Sequence, residues 1–135
     1  MVKKIINDIK CLKPCVEATE ADRILITNMF ETYRDNKEIV PYLSANMIGE
    51  NKRIFIITYR MIDFMFINPE IINAEEPFEI GQCCIYHKAL RTAKRHRKID
   101  VRYFNSEFKE KTLHMEGEFA EEFEHMLDHI NGLPL

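Results

Sequence analysis

A series of β-rich segments followed by one late helix restricts this chain more than any other feature. Six pieces carry strand character: residues 53–59, 64–67, 70–73, 78–84, 98–104 and 108–115. Asn68-Pro69 and Glu76-Pro77 punctuate them. Asn105-Ser106 reads as the tip of a hairpin joining the last two. Beyond Gly117 the pattern changes to an amphipathic helix over residues 118–130, which stops at Asn131-Gly132 with Pro134 beyond. An earlier helix is expected over residues 19–36. Thr19 is its N-cap, and Asp22 three residues on makes a near relative of the capping box. Ile24, Leu25, Met29 and Tyr33 supply its apolar face. Residues 41–49, between Pro41 and Gly49, read as a loop. Met61, Phe64 and Phe66 read as core. Strands followed by a late helix predict an α+β domain, with the helix packed on antiparallel sheet.

At 135 residues the chain is expected to form a single domain over residues 1–135. Its 46% hydrophobic and 30% charged residues describe a globular protein. A net charge of −3 gives no reason to expect DNA as a partner. The most apolar stretch, residues 54–72, is broken by Arg60, Asp63, Asn68 and Pro69, so no membrane helix is expected. The N-terminus has lysines but no apolar signal region. Four cysteines, two of them adjacent, make no disulfide framework, and reduced thiols in a cytoplasm are the expectation. The basic residues Arg91, Lys94, Arg95, Arg97 and Lys98 read as a solvated edge before a strand.

The late helix holds the chemistry. In Phe-Glu-His-Met-Leu-Asp-His, residues 123–129, His125 and His129 are four apart and share one helix face. Two imidazoles so placed are able to bind one ion. The third ligand must come from elsewhere, with Cys83 or Cys84 as the donor. Cys-His-His leaves a fourth position open, which is the arrangement of a catalytic metal site. The competing reading is two surface histidines near a helix C-terminus, where imidazolium suits the dipole. The metallohydrolase helix H-E-x-x-H has Glu as general base after its first histidine. Here that position is Met126.

The segment FEHMLDHING resembles the third motif of peptide deformylases, Q-H-E-x-D-H-x-x-G. IGQCCIYH stands where that family carries E-G-C-L-S. VPYLSANMIGENKRIFII stands where it carries G-x-G-L-A-A-x-Q-x-G followed by a strand, and FMFINPEII is similar to its L-I-N-P-x-I segment. The order of the four agrees, and the resemblance runs from the first helix to Gly132. It implies a deformylase-like fold: antiparallel β-sheets around a C-terminal metal-binding helix, with one N-terminal helix. It implies one divalent metal, Fe²⁺ by family habit with Zn²⁺ or Ni²⁺ as substitutes. The substrates implied are N-formylmethionyl peptides or nascent chains, with the ribosome as a further partner and a monomer as the working state. The family's ligand cysteine precedes the first motif histidine by 42 residues, which selects Cys83 and leaves Cys84 in the next position. The same register sets Arg95 opposite a family arginine that pairs with the motif aspartate, here Asp128.

The resemblance also shows what has changed. The catalytic Glu is Met126, and the oxyanion-stabilising Gln is Met47. Two cleft glycines are Val40 and Tyr42, and the E-G of the second motif is Gly81-Gln82. Tyr42, Leu43, Gln82 and Cys84 are the residues expected along the substrate, with Gln82 a candidate amide donor to an oxyanion. Glu122, one turn before His125, is a weak substitute for the lost base, and the acidic run around it reads as a solvated face. Two functions follow. One is a deformylase of weak activity. The other is a non-catalytic relative that binds a metal, N-terminal peptides, or both.

Overall fold

The computed structural model describes every residue except 7–12, 37, 39, 40, 85, 86, 134 and 135, and for 83, 84 and 87–90 it describes the backbone alone. Val40 therefore lies outside the described residues, as do the side chains of Cys83 and Cys84. Helix α1 is Arg23–Asn36, and α2 is Glu118–Ile130. The strands are β1 (Tyr42–Ser44), β2 (Ile54–Tyr59), β3 (Ile62–Cys84), β4 (His87–Phe104) and β5 (Glu110–Glu116). They form one antiparallel sheet in the order β1-β2-β3-β4-β5. The fold is the expected α+β arrangement with its helix last. Among the described residues no helix is long and apolar enough to cross a membrane.

Three of the expected strands are one. Residues 64–67, 70–73 and 78–84 all fall within β3, and both prolines are absorbed. The reason is what β3 pairs with. It pairs β2 only over residues 62–67, so Pro77 lies where one side of the strand has no described partner. A residue without an N–H is tolerated on such an edge. Pro69 sits at a register shift between Ile67 and Glu70, where a bulge excuses the missing donor. Asn68 at that bulge has φ +49 and grips Ala18, accepting from its N–H at 2.8 Å and donating to its carbonyl at 2.9 Å. The basic residues 91–98 likewise lie inside β4, not ahead of it.

The helix starts as its sequence indicates. Thr19 Oγ1 accepts from Ala21 N–H at 3.3 Å, and Asp22 returns a carboxylate oxygen to Thr19 N–H at 2.8 Å. The first turn is a 3₁₀ turn, Glu20–Asp22, before α1 proper. The buried face of α1 is Ile26, Met29, Thr32 and Tyr33; Ile24 points to solvent instead. The expected loop at 41–49 contains β1 and a 3₁₀ turn at Ala45–Ile48, mostly buried. The hairpin tip at Asn105 holds, with Asn105 Oδ1 accepting from the N–H groups of Glu107 and Lys109.

The core lies between α2 and the sheet. Phe123 packs edge-on against Phe55 and Phe66, with ring centres 5.2 and 5.1 Å away. Phe119 stacks on Tyr59 at 4.3 Å. Met126 and Ile130 complete the buried stripe. Phe66 is core and Phe64 packs against it, but Met61 is 95% exposed at the β2–β3 turn, where Arg60 and Met61 both take positive φ.

Candidate active site

The stripe that docks α2 also buries its histidines. His125 is 2% and His129 0% exposed, which removes the reading of two surface histidines. Their ring centres are 4.8 Å apart and nearly perpendicular. Two imidazoles sharing a tetrahedral ion through bonds of about 2.0–2.1 Å hold their ring centres about 5 Å apart. The spacing therefore suits a shared ion. Cys83 lies near the end of β3, one residue beyond Gln82; its thiol and that of Cys84 lie outside the described residues.

Tyr42 of β1 covers the pair. Its nearly buried ring is centred 5.5 Å from that of His125 and 5.8 Å from that of His129. Its neighbour Leu43 is fully buried, so contact between Leu43 and a peptide would run through its backbone. Met126 and Met47 are both fully buried. Met47 Sδ accepts a hydrogen bond from Ser44 N–H at 3.3 Å, so this methionine is folded back on β1. Where the resemblance calls for a carboxylate and a carboxamide, two thioethers lie in the core.

Arg95 is the hub of the polar frame. It is 3% exposed and uses three donor nitrogens. Nη1 donates to Asp128 Oδ2 at 2.9 Å and to the Lys94 carbonyl at 2.8 Å. Nε and Nη2 donate to Gln82 Oε1 at 3.1 and 2.7 Å. Arg95 thus ties the neighbour of Cys83 to the neighbour of His129. Burial pushes the Asp128 carboxyl up to about 6, with the Arg95 charge and hydrogen bond pulling it back down. Gln82, expected as an oxyanion donor, has its carboxamide oxygen committed to Arg95, which orients the amide.

Two contacts were not foreseen. Glu124, read as part of a solvated face, is 7% exposed and binds His96. Asn46, fully buried, donates Nδ2 to the His129 carbonyl at 2.7 Å and to that of Lys13 at 3.2 Å, while its Oδ1 accepts from Ser44 Oγ at 2.6 Å. It closes the last turn of α2, whose carbonyls have no intrahelical partner. Neither contact had a local signal, since Glu124 and His96 are 28 residues apart.

Glu122 is partly buried, and burial raises its carboxyl, with Arg95 lowering it. The basic residues of β4 are answered across the ladder, where Lys94 faces Glu79 and Lys98 faces Glu75. Lys98 Nζ also lies 3.6 Å from Glu76, and Arg97 lies over the Phe78 ring at 4.5 Å. That balance suits a solvated ribbon better than a nucleic-acid surface. Cys15 is buried beneath α2, and burial pushes its thiol up to about 11.

The two histidines of α2 lie buried side by side against antiparallel sheet, and the residues before them, Glu124 and Asp128, are held by His96 and Arg95; a helix-borne histidine pair four residues apart resembles the H-E-x-x-H pattern of metallohydrolases, here without its Glu. The profile of the polypeptide deformylase family matches residues 3–135, and the chain belongs to that family. A peptide deformylase of Clostridium beijerinckii is 35% identical over 134 residues, which cover 98% of each chain. The crystal structure of a peptide deformylase from Legionella pneumophila superposes with a TM-score of 0.83 at 27% identity, covering 98% of this chain and 83% of that one. That from Thermotoga maritima gives 0.83 at 26% identity, covering 98% and 94%.

Proposed function

We propose that residues 1–135 form one deformylase-like domain that binds a divalent metal through Cys83, His125 and His129. It accepts N-terminal formyl-methionyl peptides and releases formate slowly. The observation that carries this reading is the contrast within one helix: the two imidazoles are buried side by side, while the residue after the first, where the motif has its proton-moving Glu, is Met126. The donor set fits a divalent ion, since two neutral imidazoles and a thiolate are ligands suited to Fe²⁺, Zn²⁺ or Ni²⁺.

When bound, such an ion would supply Lewis acidity toward the formyl oxygen and lower the pKa of a water. The rest falls to the chain. Arg95, Asp128 and Gln82 keep the ligand-bearing ends of β3 and α2 in register. Met126 has neither a titratable proton nor a strong acceptor. Loss of general acid–base help typically lowers a rate by about 10²–10⁴. Met47 offers no N–H where a carboxamide would stabilise an oxyanion, a further loss of roughly 10²–10³. The two need not multiply, because such groups act as a unit. A specific observation favours the second reading, a binding protein without turnover: the Tyr42 ring packs on both histidines and takes space where the family motif has glycine.

The test is formate release from a formyl-Met tripeptide by protein purified anaerobically and loaded with Ni²⁺ or Fe²⁺, with metal measured on the same sample. Near-stoichiometric metal with turnover above that of the free ion supports a weak enzyme. Full metal with no formate supports the binding protein, and absence of bound metal overturns both forms of the metal reading.

A further inference from the structure

The residues that precede the two histidines are held by one dipeptide of β4. Arg95 takes Asp128, as described. His96 donates its backbone N–H to Glu124 Oε2 at 2.7 Å, and its Nδ1 lies 2.7 Å from Glu124 Oε1. Both oxygens of this buried carboxylate are therefore engaged by a single residue. Glu124 and Asp128 are one turn apart on the same face of α2, and each directly precedes a histidine. Two anchors a turn apart resist both rotation and sliding of the helix. The consequence is large at the ligand atoms. A side-chain nitrogen about 6 Å from a helix axis moves about 1 Å for each 10° of helix rotation.

We propose that Glu124, acting through His96, is a positioning residue that sets the rotation of α2 so that His125 faces the ion. This rests on the reading that His125 and His129 hold a metal. The acid is a departure of this chain, since the family motif has Gln before its first histidine. The carboxylate allows two strong hydrogen bonds to His96 where a carboxamide offers one acceptor atom and one donor. Supporting contacts around metal ligands typically change affinity by about 10–100-fold when removed.

The test uses the full chain and two readouts besides activity: Zn²⁺ affinity by chelator competition, and the visible spectrum of the Co²⁺ form. Glu124→Ala is expected to weaken Zn²⁺ binding by about 10–100-fold and to change the Co²⁺ spectrum. Glu124→Gln, which keeps the length and one acceptor, recovers most of the loss. His96→Ala, which keeps the backbone N–H, loses affinity in the same direction but less. Tyr59→Leu, at the far end of α2 where Tyr59 stacks on Phe119, is the control: it lowers Tm without moving the affinity. The proposal is overturned if Glu124→Ala and His96→Ala bind as tightly as wild type with unchanged spectra. It is equally overturned if Tyr59→Leu reproduces their loss. Should Glu124→Ala fail to fold, His96→Ala decides the matter by the same criteria. Wild type that binds no metal removes the metal reading and the positioning role together; wild type that binds and variants that bind equally remove only the latter.

Discussion

At the scale of single residues, one position separates a ligand from a bystander. Cys83 and Cys84 are adjacent at the end of β3, where the register with β4 shifts between Gln82 and Cys84. The proposed metal site takes Cys83 as its third ligand beside His125 and His129 and leaves Cys84 out. Cys83→Ala should abolish stoichiometric metal while Cys84→Ala retains it; equal metal content in the two variants would contradict the assignment. A second prediction concerns His114. Its Nδ1 lies 2.7 Å from Asp100 Oδ1 and its Nε2 lies 2.8 Å from Glu116 Oε2. The Asp100 hydrogen bond, then that of Glu116, raises its pKa above the ordinary value near 6.5. Folding thus favours the imidazolium. The contribution is complete below about 6.5 and is lost as pH rises through the raised value. An NMR titration should place His114 above 6.5, and Asp100→Asn should bring it down.

At the scale of elements, the end of α2 explains why the motif needs its glycine. Gly132 has φ +82, and its N–H donates to the His129 carbonyl at 2.9 Å while Leu133 N–H donates to that of Asp128 at 2.8 Å. This is a Schellman cap. A Cβ there would stand 2.8 Å from Pro14 N and Cδ, so the arm that pairs Cys15 N–H with the Ile130 carbonyl would have to move. Gly132→Ala should lower stability by about 2–3 kcal/mol, read as a drop in Tm and in denaturation midpoint. Both helices were legible because a cap and a 3.6-residue period are local signals. The unity of β3 was not. Pro69 and Pro77 look like breaks until one knows that a bulge and an unpaired edge receive them, and those are properties of the neighbouring strands. The histidine pair was legible for the same local reason as the helices. The clasp of Glu124 by His96 joins positions 28 apart in sequence, and no spacing announces it.

At the scale of the whole molecule, the chain keeps the scaffold of its family, and the methionines at the two positions that the resemblance gives to a Glu and a Gln lie in the core. Met47 and Met126 are fully buried, and the aromatic packing of Phe55, Phe66, Phe119 and Phe123 runs directly into the site. Folding and metal binding should therefore be coupled. Metal-loaded protein should melt at a higher temperature than chelated protein, by an amount that grows with free metal, and Cys83→Ala should abolish that shift. Under the proposed function, Met126 at the position of the family's Glu is the change to reverse first. The most direct test is Met126→Glu, assayed for formate release at measured and equal metal occupancy. Restoring the carboxylate is predicted to raise the rate about 10²-fold or more, the usual weight of general acid–base help. A metal-loaded Met126→Glu protein no faster than wild type would contradict it, and would shift the block to Tyr42 and Met47.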